Sequence, residues 1–239
     1  MPPVNVMRTK NKGIVIYLLI AFGMAWVLWA MPIRIDVPPH NLFLQLATRP
    51  LTGLPGGLAP AVAAIVVRRW VTREGFADAG LGWHLRERWP YYLLAWLYPL
   101  GVALVIALLA MALGIGAPDF ALQRTYPMSV AEVDASSPAP ASFAPTVYLA
   151  LAAIALLSTP ILWGEEFGWR GYLQARLFSG RPGLAAVATG LIWGLWHYPF
   201  FFLPAFNQGG QQPALTLLVF PVSTTLMSVI LGWFRQRTG

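Results

Sequence analysis

The 239-residue chain contains no cysteine. That excludes disulfides, a thiolate nucleophile and any thiolate metal site. Charge is also scarce: only 10% of the residues are Asp, Glu, Lys or Arg, against about 25% in soluble domains. Hydrophobic residues make up 57%, and the composition reads as that of an integral membrane protein. Nine acidic residues and three histidines are present, so acid–base or metal chemistry has few carriers. The net charge of +7 would suit a nucleic-acid partner, but the cations fall in short loops between apolar runs. That is the topogenic pattern of a membrane protein, and no nucleic-acid partner is expected.

Six apolar runs cover residues 14–31, 51–67, 90–115, 146–175, 184–204 and 214–234. A hydrocarbon core of roughly 30 Å needs about 20 helical residues, so the expected fold is all-α. It is a polytopic bundle of about six transmembrane helices, forming one integral membrane domain over 1–239. The second run is the weakest, interrupted by Pro55, Gly56, Gly57 and Pro60. The N-terminus has a signal peptide's basic region but no small-residue cleavage site, so the first run is read as an uncleaved span.

Placing the N-terminus in the cytoplasm puts Arg8, Lys10, Lys12, Arg68, Arg69, Arg73, Arg86, Arg88, Arg176, Arg181, Arg235 and Arg237 inside. Only Arg34, Arg49 and Arg124 fall outside. The bias supports a cytoplasmic-membrane protein with its N-terminus inside and the lipid bilayer as a partner. The outside loop 117–145 is Ser/Pro/Ala-rich and holds Asp119, Glu132 and Asp134. The inside segment 68–89, with Trp83 and Trp89, is expected along the interface. His40 and His84 fall in loops and receive no role. There is no internal repeat.

Against this background Gly164-Glu165-Glu166-Phe167-Gly168-Trp169-Arg170 stands out, as does His197 in Trp193-Gly194-Leu195-Trp196-His197. An ionisable side chain in hydrocarbon costs several kcal/mol and marks a candidate functional site. The breaker cluster Ser179-Gly180-Arg181-Pro182-Gly183 predicts a helical hairpin between spans four and five. From Arg181, Glu165 and His197 each lie 16 residues away, about 24 Å along either helix. They are therefore expected at one depth. Gly164 with Gly168, and Gly190 with Gly194, are small-xxx-small pairs expected to let these two helices approach.

Spacing divides the roles. Glu166 and Arg170 stand at i,i+4, the spacing of a helical ion pair, which leaves Glu165 as the carboxylate able to activate water. Trp193, one turn before His197, is placed to brace the imidazole. Taken singly, a span-end glutamate, a buried histidine or a Glu–Arg pair is usually structural; the joint pattern points to chemistry.

At these residues the chain resembles the CPBP family of intramembrane proteases, which includes the type II CAAX prenyl endopeptidases. The Glu-Glu-x-x-x-Arg motif is matched by Glu165, Glu166 and Arg170, with a typical Gly168–Leu173 flank. The Phe-x-x-x-His motif reads Trp193-x-x-x-His197, aromatic for aromatic. The CPBP-like core is placed at about 146–239. The resemblance implies hydrolysis of membrane-associated or lipid-anchored peptides, with Glu165 activating water and His197 assisting. It leaves the cofactor open between none and a divalent metal such as zinc, for which Glu165 and His197 would be the ligands. The family's later His-x-x-x-Asn/Asp motif does not follow His197; the expectation is a chain that stops before a seventh span and is weakly active. The alternatives are a non-catalytic scaffold or immunity factor of the same fold, and a proton-coupled transporter.

Overall fold

A computed structural model describes residues 4–31, 36, 43, 44, 48, 55–82, 84–116, 143–202 and 213–239. His40 and Trp83, and nearly all of the loop 117–145, lie outside these residues. The described residues form α1 (Val4–Ala30), α2 (Ala59–Val66), α3 (Leu85–Ala112), α4 (Phe143–Gly168), α5 (Pro182–Trp196) and α6 (Pro213–Thr238). There is no strand among them. Three short elements join the set: π-helical stretches at Val67–Val71 and Trp169–Gln174, and a 3-10 turn at Tyr198–Phe201.

Four stretches are long and apolar enough to cross a membrane: Thr9–Ala30, Leu85–Ala112, Pro145–Gln174 and Leu215–Thr238. The other two apolar runs give shorter helices. After Pro182–Trp196, Pro199 blocks further α-helix and the chain turns into the 3-10 segment. Among the described residues of the run 51–67, α2 supplies eight before the helix widens.

The chain divides into two compact units. One comprises Ile33–Thr52 and Pro90–Thr159. Its described part is helical, with Val147 and Ala150 buried. The other comprises Met1–Pro32, Gly53–Trp89 and Pro160–Gly239, and it holds every candidate site residue.

The core of this second unit is built on small side chains. Tyr17, Ala21, Ala25 and Trp29 recur every fourth residue on α1 and are buried, the spacing of a single helix face. They pack with Ala59, Ala61, Ala63, Ala64 and Val67. Trp196, at the end of α5, ties into the same face: its indole N–H donates to the Ala21 carbonyl at 3.0 Å. Trp26 returns a bond to the Trp196 carbonyl, also at 3.0 Å.

The turn between the site helices forms where the breaker cluster predicts it. Phe178 and Gly180 take positive φ of 42° and 79°, and the Arg181 N–H closes the turn on Phe178 O at 2.8 Å. Pro182 then starts α5, where its missing N–H removes no helical bond.

The glycine pairs correct an expectation. They do not face one another across the hairpin. A Cβ on Gly190 would lie 2.5 Å from Thr225 Cα, and one on Gly194 would lie 2.9 Å from Pro221 Cα. This pair serves α6, which is further zipped to α5 by Thr224 Oγ1 donating to Gly190 O (3.1 Å) and Ser228 Oγ to Ala186 O (2.8 Å). Gly168 instead faces Pro60, where an added Cβ would lie 2.6 Å from the carbonyl oxygen, and Gly164 faces Leu58. Small-xxx-small spacing signals close approach without naming the partner.

Candidate active site

Glu165 ends up 8% exposed and Arg170 3% exposed. Burial this deep demands partners, and they divide as the spacing predicts. Arg170 Nη1 meets Glu166 Oε1 at 2.8 Å. Glu165 takes no part in that pair; its Oε2 accepts a hydrogen bond from Trp193 Nε1 at 2.9 Å.

Trp193 is therefore more than a brace for the imidazole. Its indole N–H holds Glu165, and its ring lies 4.6 Å under the Arg170 guanidinium, a cation–π contact. Its carbonyl takes His197 Nδ1 at 2.9 Å. A carbonyl only accepts, so Nδ1 carries a proton. The imidazole sits in an aromatic box of Trp196 (4.8 Å), Phe220 (5.3 Å) and Trp193 (5.6 Å), all edge-on, with Trp29 stacked at 6.4 Å. Glu165 and His197, expected level across the hairpin, are thus joined through one tryptophan.

Residues 144–239 match the family described as type II CAAX prenyl endopeptidase Rce1-like. No curated protein and no solved structure matches the chain. The Rce1-like segment contains Glu165, Glu166, Arg170, Trp193 and His197 and assigns this part of the chain to a protease family. With its four long apolar helices, the chain is an integral membrane protein.

The Rce1-like segment widens from α-helix to π-helix at Trp169, immediately before Arg170. Such single widened turns concentrate at functional sites. Beside them a cavity of about 250 Å³ is lined by Glu166, Arg170, Trp163, Phe167 and Phe234. Arg170 Nε and Nη2 and Trp169 Nε1 are buried without a hydrogen-bond partner among the described residues.

Among the described residues the donor set falls short of a zinc centre. A zinc centre takes at least three protein ligands, and no cluster of three or more His, Asp or Glu occurs among the described residues. One Glu165 oxygen is already engaged by Trp193.

Two residues escaped sequence reasoning. Tyr17 of α1 is fully buried, stacked on Tyr172 at 4.8 Å and edge-on to Trp169 at 5.8 Å. Arg68 was counted as a loop cation, yet it is 0% exposed. Its Nη1 pairs with Asp78 at 2.7 Å. The signal for Arg68 lay in its own loop, where Glu74 and Asp78 follow it in sequence. Tyr17 sits in an apolar run and gave no signal.

Proposed function

We propose that the chain is an intramembrane endopeptidase acting on membrane-associated or lipid-anchored peptides, with Glu165 as general base and His197 as its assistant. The observation that carries this reading is the separation of the two glutamates: Glu166 neutralises Arg170, while Glu165 is buried outside that pair and accepts from the neutral Trp193 indole N–H. Glu165 takes a proton from water, and the hydroxide attacks the scissile carbonyl carbon to give a tetrahedral oxyanion. Collapse of that intermediate breaks the C–N bond, and Glu165 returns the proton to the leaving amine. His197, with Nδ1 held by the Trp193 carbonyl, assists by orienting the attacking water. Buried N–H donors of Trp169 and Arg170 lie on the same stretch of helix and are suited to developing negative charge. The excess of cations in segments 1–13, 68–89, 176–183 and 235–239 supports a cytoplasmic N-terminus.

The test is cleavage of transmembrane and lipid-anchored reporter peptides by the protein in proteoliposomes. Wild type should cleave, and Glu165→Ala should not. Cleavage that survives Glu165→Ala refutes the mechanism; proton-coupled uptake without cleavage would make the protein a transporter, and an in-cell phenotype indifferent to Glu165→Ala a scaffold.

A further inference from the structure

Arg68 lies outside the family-matched segment, and the reaction just described gives it no part. Its side chain is nevertheless the most deeply buried charge among the described residues, at 0% exposure. A guanidinium so placed is expensive, and a well-packed apolar residue of similar size is often as stable or more so. Its contacts are therefore the guide to what it does. Nη1 donates to Asp78 Oδ1 at 2.7 Å and to the Gly75 carbonyl. Nη2 donates to the Gly171 carbonyl, 103 residues later in the chain, at 2.8 Å, a fully buried bond. The Phe76 and Tyr172 rings stand 5.4 and 5.5 Å from the guanidinium carbon.

Gly171 sits in the middle of the π-helical stretch Trp169–Gln174, directly after Arg170. A widened turn of this kind is rare and departs from the α-helical hydrogen-bond pattern on either side of it. The Arg68 fork supplies an outside donor to it. The loop carrying Asp78 closes down on the same point: a Cβ on Gly171 would lie 3.0 Å from the Ala79 carbonyl oxygen. Arg235 Nη2 fixes that loop from a third side by donating to the Asp78 carbonyl at 2.9 Å.

We infer that Arg68 is a positioning residue of the candidate site: by holding the Gly171 carbonyl it sets the widened turn, and with it the direction of Arg170, Glu166 and Trp193. The inference rests on the hydrolytic reading for its kinetic consequence, but not for its geometric one. Lysine keeps the charge for Asp78 and lacks the planar fork that reaches two oxygens at once.

The experiment compares full-length wild type, Arg68→Lys and Glu165→Ala in the same membrane mimetic. Arg68→Lys should lower kcat per folded molecule by between about 10-fold and 100-fold, the scale of a small misplacement of catalytic groups, with KM within about twofold. It should also shift the Trp193 indole N–H resonance, which reports the bond to Glu165 independently of turnover. A purely stabilising Arg68 would instead lower the melting temperature and leave both kcat per folded molecule and that resonance unchanged; this result overturns the inference. If Arg68→Lys fails to fold, the isosteric Asp78→Asn, which weakens the grip on the same guanidinium, should shift the Trp193 resonance, and an unmoved resonance again overturns it. Cleavage unaffected by Glu165→Ala would sink the hydrolytic reading while leaving the resonance shift to decide the geometric claim.

Discussion

Two ionic clusters hang on one helix and are built on opposite rules. In the lower one Arg68 and Arg176 meet Glu74 and Asp78: Asp78 lies 2.7 Å from Arg68 and 3.2 Å from Arg176, and Glu74 pairs with Arg176. Charges there balance two against two, and the Asp78 side chain is 55% exposed. In the upper one two glutamates stand beside a single arginine that pairs with Glu166 alone, Glu165 is almost fully buried, and two Arg170 nitrogens find no partner among the described residues. A balanced cluster with solvated acids is what fastening a loop requires. An unbalanced cluster, with a buried carboxylate outside the ion pair, is the arrangement that the proposed general base calls for.

The sharpest way to break this contrast is Glu165→Ala. Loss of the proposed base should slow peptide cleavage by about 10²- to 10⁴-fold with little loss of stability, read from initial rates and thermal melts on the same samples. A variant that melts early but cleaves at the wild-type rate per folded molecule would make Glu165 a structural residue like Asp78.

Glu166→Gln tests the other half. It strands the buried Arg170, and removing one partner of a buried pair should destabilise by about 3 kcal/mol, the low end of the usual range because Glu166 remains 38% exposed. Denaturant or thermal unfolding in detergent checks this.

Gly190→Val stands outside both clusters and calibrates them. Its new side chain would drive into Thr225 and Ser228, and overpacking of this kind costs about 1–3 kcal/mol, measured by the same unfolding assay without any specific effect on the rate per folded molecule.

The smallest effect is in pH. Burial works against the Asp78 charge, but the Arg68 hydrogen bond and the charges of Arg176 and Arg68 outweigh it and hold the carboxyl below its ordinary value. A depressed carboxyl adds stability at pH values above its unfolded pKa of about 3.9. That stability fades as pH falls through the lower folded value. Arg68, Arg176 and Arg235 are the cations that face it, and Glu74 is the acid beside it. Asp78→Asn should flatten the acid limb of a melting-temperature profile, and an unchanged limb would remove Asp78 from the balanced cluster.

Sequence reading reached the helical class, the hairpin turn and the split between Glu165 and Glu166, because each depends on local spacing. Breakers over 179–183 and an i,i+4 pair are written in consecutive residues. What depends on long-range partners was not legible. Gly190 and Gly194 announced a close approach, but only the fold shows that α6 makes it. Trp193 was placed beside His197 by its one-turn offset; its second contact, to a carboxylate 28 residues away, has no local signature. Arg68 looked like any loop cation because its burial is created by Gly171, 103 residues later.

The reciprocal bonds between Trp26, Ala21 and Trp196 have a practical corollary. The family-matched segment begins at 144, yet the last residue of α5 before His197 closes its indole bond on α1. The recognisable part of the molecule is therefore not a portable module: expressed alone, 144–239 would expose Trp196 and the Tyr17-facing sides of Trp169 and Tyr172. Supplying residues 1–89 as a separate chain in the same membrane should restore the fold of that fragment.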